Sequence, residues 1–357
     1  MGRYPSEPER GFGGNNMMLL SFAHFFVDAG CAATLYSLSE PTLGTLILLY
    51  NTMAFSGQAL WGLAADRFRR QKYGTAVSCF MIAVGAFLPL PPLLRTALLG
   101  LGNCGFHVGG GTRVLRERGK RAAMLGVFVA PGSVGLVLGI LWPGLRTWLA
   151  LGLLFCGVLI LLDQEVERTV GEFAPATASG KRLWVPLALL LTVAVRSYGG
   201  FAVATPWKTT VFSTVLSALA VFGGKIAGGL LADRLGVRRL TMLSLPAAAV
   251  LLGFFSQWMA PSLLGQFLLN LTMPVTLWLL YQAMPEAPGL SFGLAAAALW
   301  PGAMAAKLLN VAGSAGNWTI FVTFGAGTAA VYAAWYALLR FQRKNAQTEA
   351  KQTVSMR

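Results

Sequence analysis

From Met17 to Arg340 the chain repeats one unit, an apolar run of about 20 residues followed by a short polar or basic break. As a helix rising about 1.5 Å per residue, such a run crosses the roughly 30 Å hydrocarbon core of a bilayer. Composition agrees, since 55% of the 357 residues are hydrophobic and only 11% charged, against roughly a quarter charged in soluble domains. The pattern predicts an all-α membrane protein with twelve transmembrane helices, at 17–36, 42–64, 74–94, 95–112, 122–141, 145–162, 183–204, 209–231, 240–259, 262–281, 290–309 and 318–340.

The net charge of +15 does not point to nucleic acid, because the basic residues sit in clusters between the apolar runs. If the N-terminus is inside, 22 of the 28 Lys and Arg fall on the inner side, while Arg95, Arg146 and Lys208 fall outside. This predicts both termini cytoplasmic, in a cell (inner) membrane. Trp142, Trp148, Trp207, Trp258 and Trp318 fall near outer helix ends, where the headgroup layer favours indole rings. Cys31, Cys79, Cys104 and Cys156 lie inside apolar runs without paired spacing, so no disulfide framework, metal site or cofactor is expected. The run from Met17 lacks a small-residue cleavage site, so no signal peptide is expected.

Residues 163–182 form the one long polar interior stretch and divide six spans from six. The expected organisation is an N-terminal six-helix bundle at 1–162, a cytoplasmic linker at 163–182 and a C-terminal bundle with a cytoplasmic tail at 183–357, disordered from Gln342 onward. The halves repeat one another. Gly57–Lys72 returns as Gly224–Arg239, with Asp66-Arg67 matching Asp233-Arg234. Asn103 and Asn270, and Gly126 and Gly293, stand at the same offset of 167; Pro131-Gly132 and Pro301-Gly302 match at 170. Agreement in offset and in place within each half indicates duplication.

Ionisable residues inside spans are costly in lipid and so mark candidate sites. His24 and Asp28 stand four residues apart on one face of the first span. They make either a proton-coupling pair or a structural hydrogen bond. Asn103 and His107 repeat that spacing in the fourth span among Gly102, Gly105 and Gly109–Gly111. With Asn270 they are candidates for substrate binding, His107 also for proton transfer with Asp28. Arg196, near the middle of the seventh span, stays charged and needs an anion. That anion is either the substrate or Asp28. Lys225 and Lys307 are expected to snorkel to the inner and outer surfaces respectively. Asp66 and Asp233 end their helices where a carboxylate can accept hydrogen bonds from a neighbouring helix N-terminus and pair with Arg67 or Arg234. Pro131 frees a carbonyl and bends the fifth span, with small neighbours set to pack on Gly224 and Gly228.

The pattern Gly-x-x-x-Asp-Arg-x-Gly-Arg-Arg resembles the signature loop between the second and third helices of the major facilitator superfamily, repeated there between the eighth and ninth. Gly229–Arg239 fits with Val237 inserted, whereas the first copy has Arg69 where the family has glycine. The resemblance implies two pseudo-symmetric six-helix bundles, the major facilitator fold, working by alternating access. It also implies gating roles for Asp66, Arg67, Asp233, Arg234 and Gly236. His24-Phe-Phe-Val-Asp28 with Asn103-x-x-x-His107-Val-Gly-Gly-Gly is similar to the family's fosmidomycin-resistance branch. Gly126 to Gly135 resembles the fifth-helix motif of drug:proton antiporters, with Ala130 and Val134 replacing glycines. Pro131, Gly132, Pro301 and Gly302 then serve as helix pivots. The family's mid-span arginine of the fourth helix is missing, since Arg95 lies at the outer end.

The only two histidines lie in mid-span rather than at a membrane face, which argues against a membrane enzyme. The expectation is a monomeric, proton-coupled secondary transporter exporting a small organic solute, its partners being that solute, protons and the bilayer. Proton symport of an organic anion for uptake is the alternative within transport, and a transport-dead scaffold or receptor the alternative outside it.

Overall fold

The computed structural model describes residues 14–38, 43–68, 70–119, 121–165 and 183–355. Its helices group into twelve rods. In the first half these are α1 (Gly14–Tyr36), α2 (Leu43–Asn51) continued by α3 (Gly57–Ala65), α4 (Lys72–Phe87), α5 (Pro92–Arg118), α6 (Ala122–Val129) continued by α7 (Pro131–Leu141), and α8 (Arg146–Leu162). In the second half they are α9 (Trp184–Ala202), α10 (Val211–Leu235), α11 (Val237–Phe254), α12 (Met259–Asn270) with α13 (Thr272–Ala283), α14 (Pro288–Ala297) with α15 (Leu299–Leu308), and α16 (Asn317–Ser355). Among the described residues, nine rods are long and apolar enough to cross a membrane by themselves. The chain is a multi-pass membrane protein.

Each rod matches one expected span, with three differences. The third ends at Phe87 and the fourth begins at Pro92, because Pro91 and Pro92 cannot continue a helix but suit its first turn. The fourth then runs on to Arg118, which places Arg113 and Arg116 on helix rather than in a loop. The twelfth continues as helix to Ser355, where disorder is expected from Gln342. Residues 166–182 of the expected linker, and Arg69, lie outside the described residues.

Several rods are broken near their middles. A π-helical turn, Thr52–Ser56, joins α2 to α3. Pro131 separates α6 from α7, Leu271 separates α12 from α13, and Ala298 separates α14 from α15 one turn before Pro301-Gly302. Local sequence sets other ends directly. Thr210 caps α10 reciprocally with Ser213, and Gly236 ends that helix at a φ of 84°, where a side chain would be strained.

The two halves meet at the end of the bundle that carries Asp66 and Asp233, here called the basic end. There α3 packs on α14 and α6 on α10. A methyl on Gly62 would collide with the Gly289 carbonyl, and one on Gly229 would strike Ala122 and Ala123. The apolar core of the first half also takes in Leu277 and Phe292 from the second. Nearer the middle, α7 lies along α1, because Gly132, Gly135 and Gly139 present no side chain to Asp28, Phe25 and Ala29. The expected contact of the fifth rod with Gly224 and Gly228 is replaced. Those two glycines receive the Phe267 and Leu271 carbonyls of the tenth rod, while Gly126 meets the Lys225 backbone.

Candidate functional site

The middle of the first half holds a cluster drawn from α1, α5 and the break at Pro131. Proline has no N–H, so the ladder fails there and leaves carbonyls of the preceding turn to side chains. His24 takes the Phe128 carbonyl through Nδ1 at 2.7 Å, and Lys225, from the second half, donates to the Val129 carbonyl at 3.2 Å. The expected snorkelling of Lys225 to the basic end gives way to this bond. Lys307 is exposed in the last turn of α15.

Asp28 lies between the two histidines. His24 Nε2 stands 3.3 Å from its Oδ2, and His107 Nε2 stands 3.7 Å from its Oδ1. Asn103 donates to Oδ1 at 3.0 Å, and His107 Nδ1 contacts the Asn103 carbonyl at 2.9 Å. The imidazole rings meet edge to face with centroids 4.4 Å apart. A carbonyl oxygen only accepts, so both Nδ1 atoms carry a proton and both rings turn Nε2 toward one carboxylate. The rings of Phe106 and Phe128 pack beside His24, and Phe128 in turn meets Phe292 with centroids 6.0 Å apart.

Arg196 is buried on α9, and its guanidinium donates to Thr276 Oγ1 at 3.4 Å and Thr272 Oγ1 at 3.5 Å. The expected ion pair with Asp28 does not form. Lys225 interacts electrostatically with both Asp28 and Arg196, so the two charges share one neighbourhood. Asn270, the counterpart of Asn103, spends its carboxamide on the Gln266 carbonyl of its own helix. Thr272 and Thr276, one turn apart on α13, escaped the sequence reading because hydroxyls are ordinary in membrane helices.

At the basic end, Asp66 accepts from the Gly289 and Leu290 N–H groups at 2.7 and 2.8 Å, at the start of α14. Asp233 accepts from Ala122 and Ala123 at 2.9 and 3.1 Å, at the start of α6. Every residue of one contact lies 167 positions from its counterpart in the other. The facing cation differs from the expected one. Arg116 approaches Asp66 Oδ1 at 4.0 Å, while Arg67 donates to the Leu63 carbonyl. Burial pushes the Asp66 carboxyl above the usual carboxylate range, against the pull of the two N–H groups and Arg116. A third carboxylate, Glu165, accepts from the Gln71 and Lys72 N–H groups at 2.8 and 2.9 Å and caps α4, and Arg113 pairs with Glu117 and Asp163. These partners come from loop ends that one-dimensional patterns leave undefined. A groove of about 940 Å³ opens beside Arg67 and Phe68, lined also by Trp61 and Tyr73 among others.

Over 91% of this chain and 99% of the other, the structure superposes on a crystal structure of the Major Facilitator Superfamily transporter FucP in the outward conformation, with a TM-score of 0.67. The chain has the major facilitator fold. Sequence identity over that superposition is 11%, so the likeness carries architecture and no residue roles. A point variant of the E. coli fucose:proton symporter FucP matches with a TM-score of 0.64 at 12% identity, again over 91% and 99% of the two chains. No family model matches the sequence, and no curated protein matches it. Within the major facilitator fold, the cluster of His24, Asp28 and His107 lies in the first six-rod half and Arg196 in the second.

Proposed function

We propose that the chain is a proton-coupled secondary transporter. His24, Asp28 and His107 take up the proton, and Arg196 holds the anionic group of a small organic solute. One observation carries the reading: the Nε2 atoms of two histidines face one carboxylate inside the spans, three titratable groups placed to share a proton. Among the described residues Arg196 hydrogen-bonds to hydroxyls and to no carboxylate, so its charge is available to a solute anion. A proton at Asp28 leaves Arg196 and Lys225 as excess positive charge, which favours the anion, and a bound anion favours the proton by the same factor. Proton and solute therefore bind together, the logic of symport. The basic end is the cytoplasmic one, in a cell (inner) membrane, and residues 1–162 and 183–357 move as two bundles about the 163–182 linker. Asp66 and Asp233, with Arg67, Arg234 and Gly236, hold the cytoplasmic side shut, and Pro131-Gly132 at one break and Pro301-Gly302 one turn after the break at Ala298 let helices bend as it opens.

Export by exchange is the second reading, favoured by the break at Pro131-Gly132. It calls for a cationic solute that displaces the proton. A thermal-shift screen of small carboxylates, and then of organic cations, at two pH values identifies a ligand. Proton movement on binding is then followed in weakly buffered detergent. Symport predicts proton consumption that disappears in Asp28→Asn, with binding itself lost in Arg196→Ala. Proton release selects exchange. Movement unchanged in Asp28→Asn removes this site from the coupling.

A further inference from the structure

Against the sequence expectation of no metal, we infer that His24, Asp28 and His107 bind one divalent transition-metal ion of the Zn²⁺ class. The ligand atoms all lie within 4.8 Å of one another. Zn²⁺ ligands at about 2.0–2.2 Å on tetrahedral corners stand about 3.3–3.6 Å apart. The His24 edge runs to Oδ2 at 3.3 Å and the His107 edge to Oδ1 at 3.7 Å, so a carboxylate that ligates through both oxygens stands near that spacing from each imidazole, and closing the cluster from its 4.8 Å limit takes shifts of up to about 1 Å. Neutral imidazole and carboxylate are the hard-to-borderline donors that Zn²⁺, Co²⁺ and Ni²⁺ accept.

The outer shell is what separates this cluster from a chance meeting of polar groups. Metal-bound histidines hold the other ring N–H against a carbonyl or carboxylate, which fixes the tautomer and aims the lone pair. Here both rings do so, His24 on the Phe128 carbonyl and His107 on the Asn103 carbonyl. Asn103 also steadies the carboxylate from outside through its Nδ2. A single proton satisfies only one His–Asp edge, whereas a metal ion engages both imidazoles and the carboxylate. The side chains of Asp28 and His107 keep 19% and 14% exposure, which leaves a path for the ion and for a fourth ligand from water or solute. Gly132 maintains the space, since any side chain there would run into Asp28 and His24. Among the described residues, Lys225 on α10 is the charge that faces the cluster from another helix and opposes the ion, and the Tyr50 phenol on α2 lies beside Asp28 and Asn103.

The inference uses the same three side chains as the proposed proton site but not their coupling to transport. The test is titration of tag-free protein in detergent with Co²⁺, read by visible absorption and by competition with Zn²⁺. The expected result is one Co²⁺ per chain with a tetrahedral-type spectrum, displaced by Zn²⁺. Affinity should fall as pH drops below the imidazole range of about 6.5, because ion and protons compete for the same lone pairs. His24→Gln and His107→Gln should each weaken binding at least tenfold, and Asn103→Ala about 10–100-fold through the lost outer shell. Lys225→Met should tighten it. No Co²⁺ binding by the wild type, or equal affinity in the His24→Gln/His107→Gln double variant, overturns the inference. If that variant is not recovered folded, Asn103→Ala and Lys225→Met decide, and unchanged affinity in both overturns it. Metal binding without solute-linked proton movement upholds the site and removes the proposed coupling; proton movement without metal binding does the reverse.

Discussion

Asp66 and Asp233 occupy equivalent positions in the two halves, yet only one of them is buried. Each closes its helix by accepting two N–H groups from the other half. Asp66 is 7% exposed and has Arg116 beside it, whereas Asp233 is open to solvent. The sequence points the other way. The second loop keeps the family's glycine, Gly236, and the first has Arg69 in its place. Motif quality reports how tightly the backbone turns, while burial reports what removing the carboxylate leaves behind. The donors are enclosed at both sites, Ala122 and Ala123 included, so the two contacts differ in the access of water to the carboxylate itself, open at Asp233 and closed at Asp66.

The largest effect expected from this comparison is on stability of the closed basic end. Asp66→Ala leaves the Gly289 and Leu290 N–H groups without their acceptor where the carboxylate was enclosed, at a cost of about 3 kcal/mol. Asp233→Ala loses an exposed helix cap, about 1 kcal/mol. Thermal unfolding in detergent measures both, and equal shifts would show that burial does not separate the two loops. Transport should fall further in Asp66→Ala, reversing the order that the loop glycine suggests.

Next in size come the glycines at the helix crossings, where the halves are alike. Gly62→Ala and Gly229→Ala each push a methyl into backbone of the other half. Overpacking of that kind costs about 1–3 kcal/mol. Both variants should shift toward opening of the basic end, read as faster labelling of a cysteine introduced there. A response from one alone would break the symmetry that the 167-residue offset implies.

The smallest effect belongs to the turn. Gly236→Ala strains one residue at a φ of 84°, about 1–2 kcal/mol. Nothing packs against that position, so the loss should appear in unfolding temperature and leave solute affinity unchanged. A change in affinity would assign the turn a part in the transport cycle.

Much of this molecule was legible in one dimension. Apolar runs give the twelve rods because a bilayer admits little besides helices of about that length. The duplication gives the pseudo-symmetry, since the chain repeats its contacts at the offset at which it repeats its residues. The spacing of His24 and Asp28 places them on one face, and their cost in lipid marks them as a site. What only the tertiary structure decided is which charges meet. Arg196 turns to two threonines rather than to Asp28, Lys225 turns inward to a carbonyl near the proline break, and Arg116 rather than Arg67 approaches Asp66. Helical period fixes the face a side chain leaves from, but its partner depends on how neighbouring rods rotate and cross. That rotation is set by glycines and aromatic rings packing between helices, through contacts far apart in sequence.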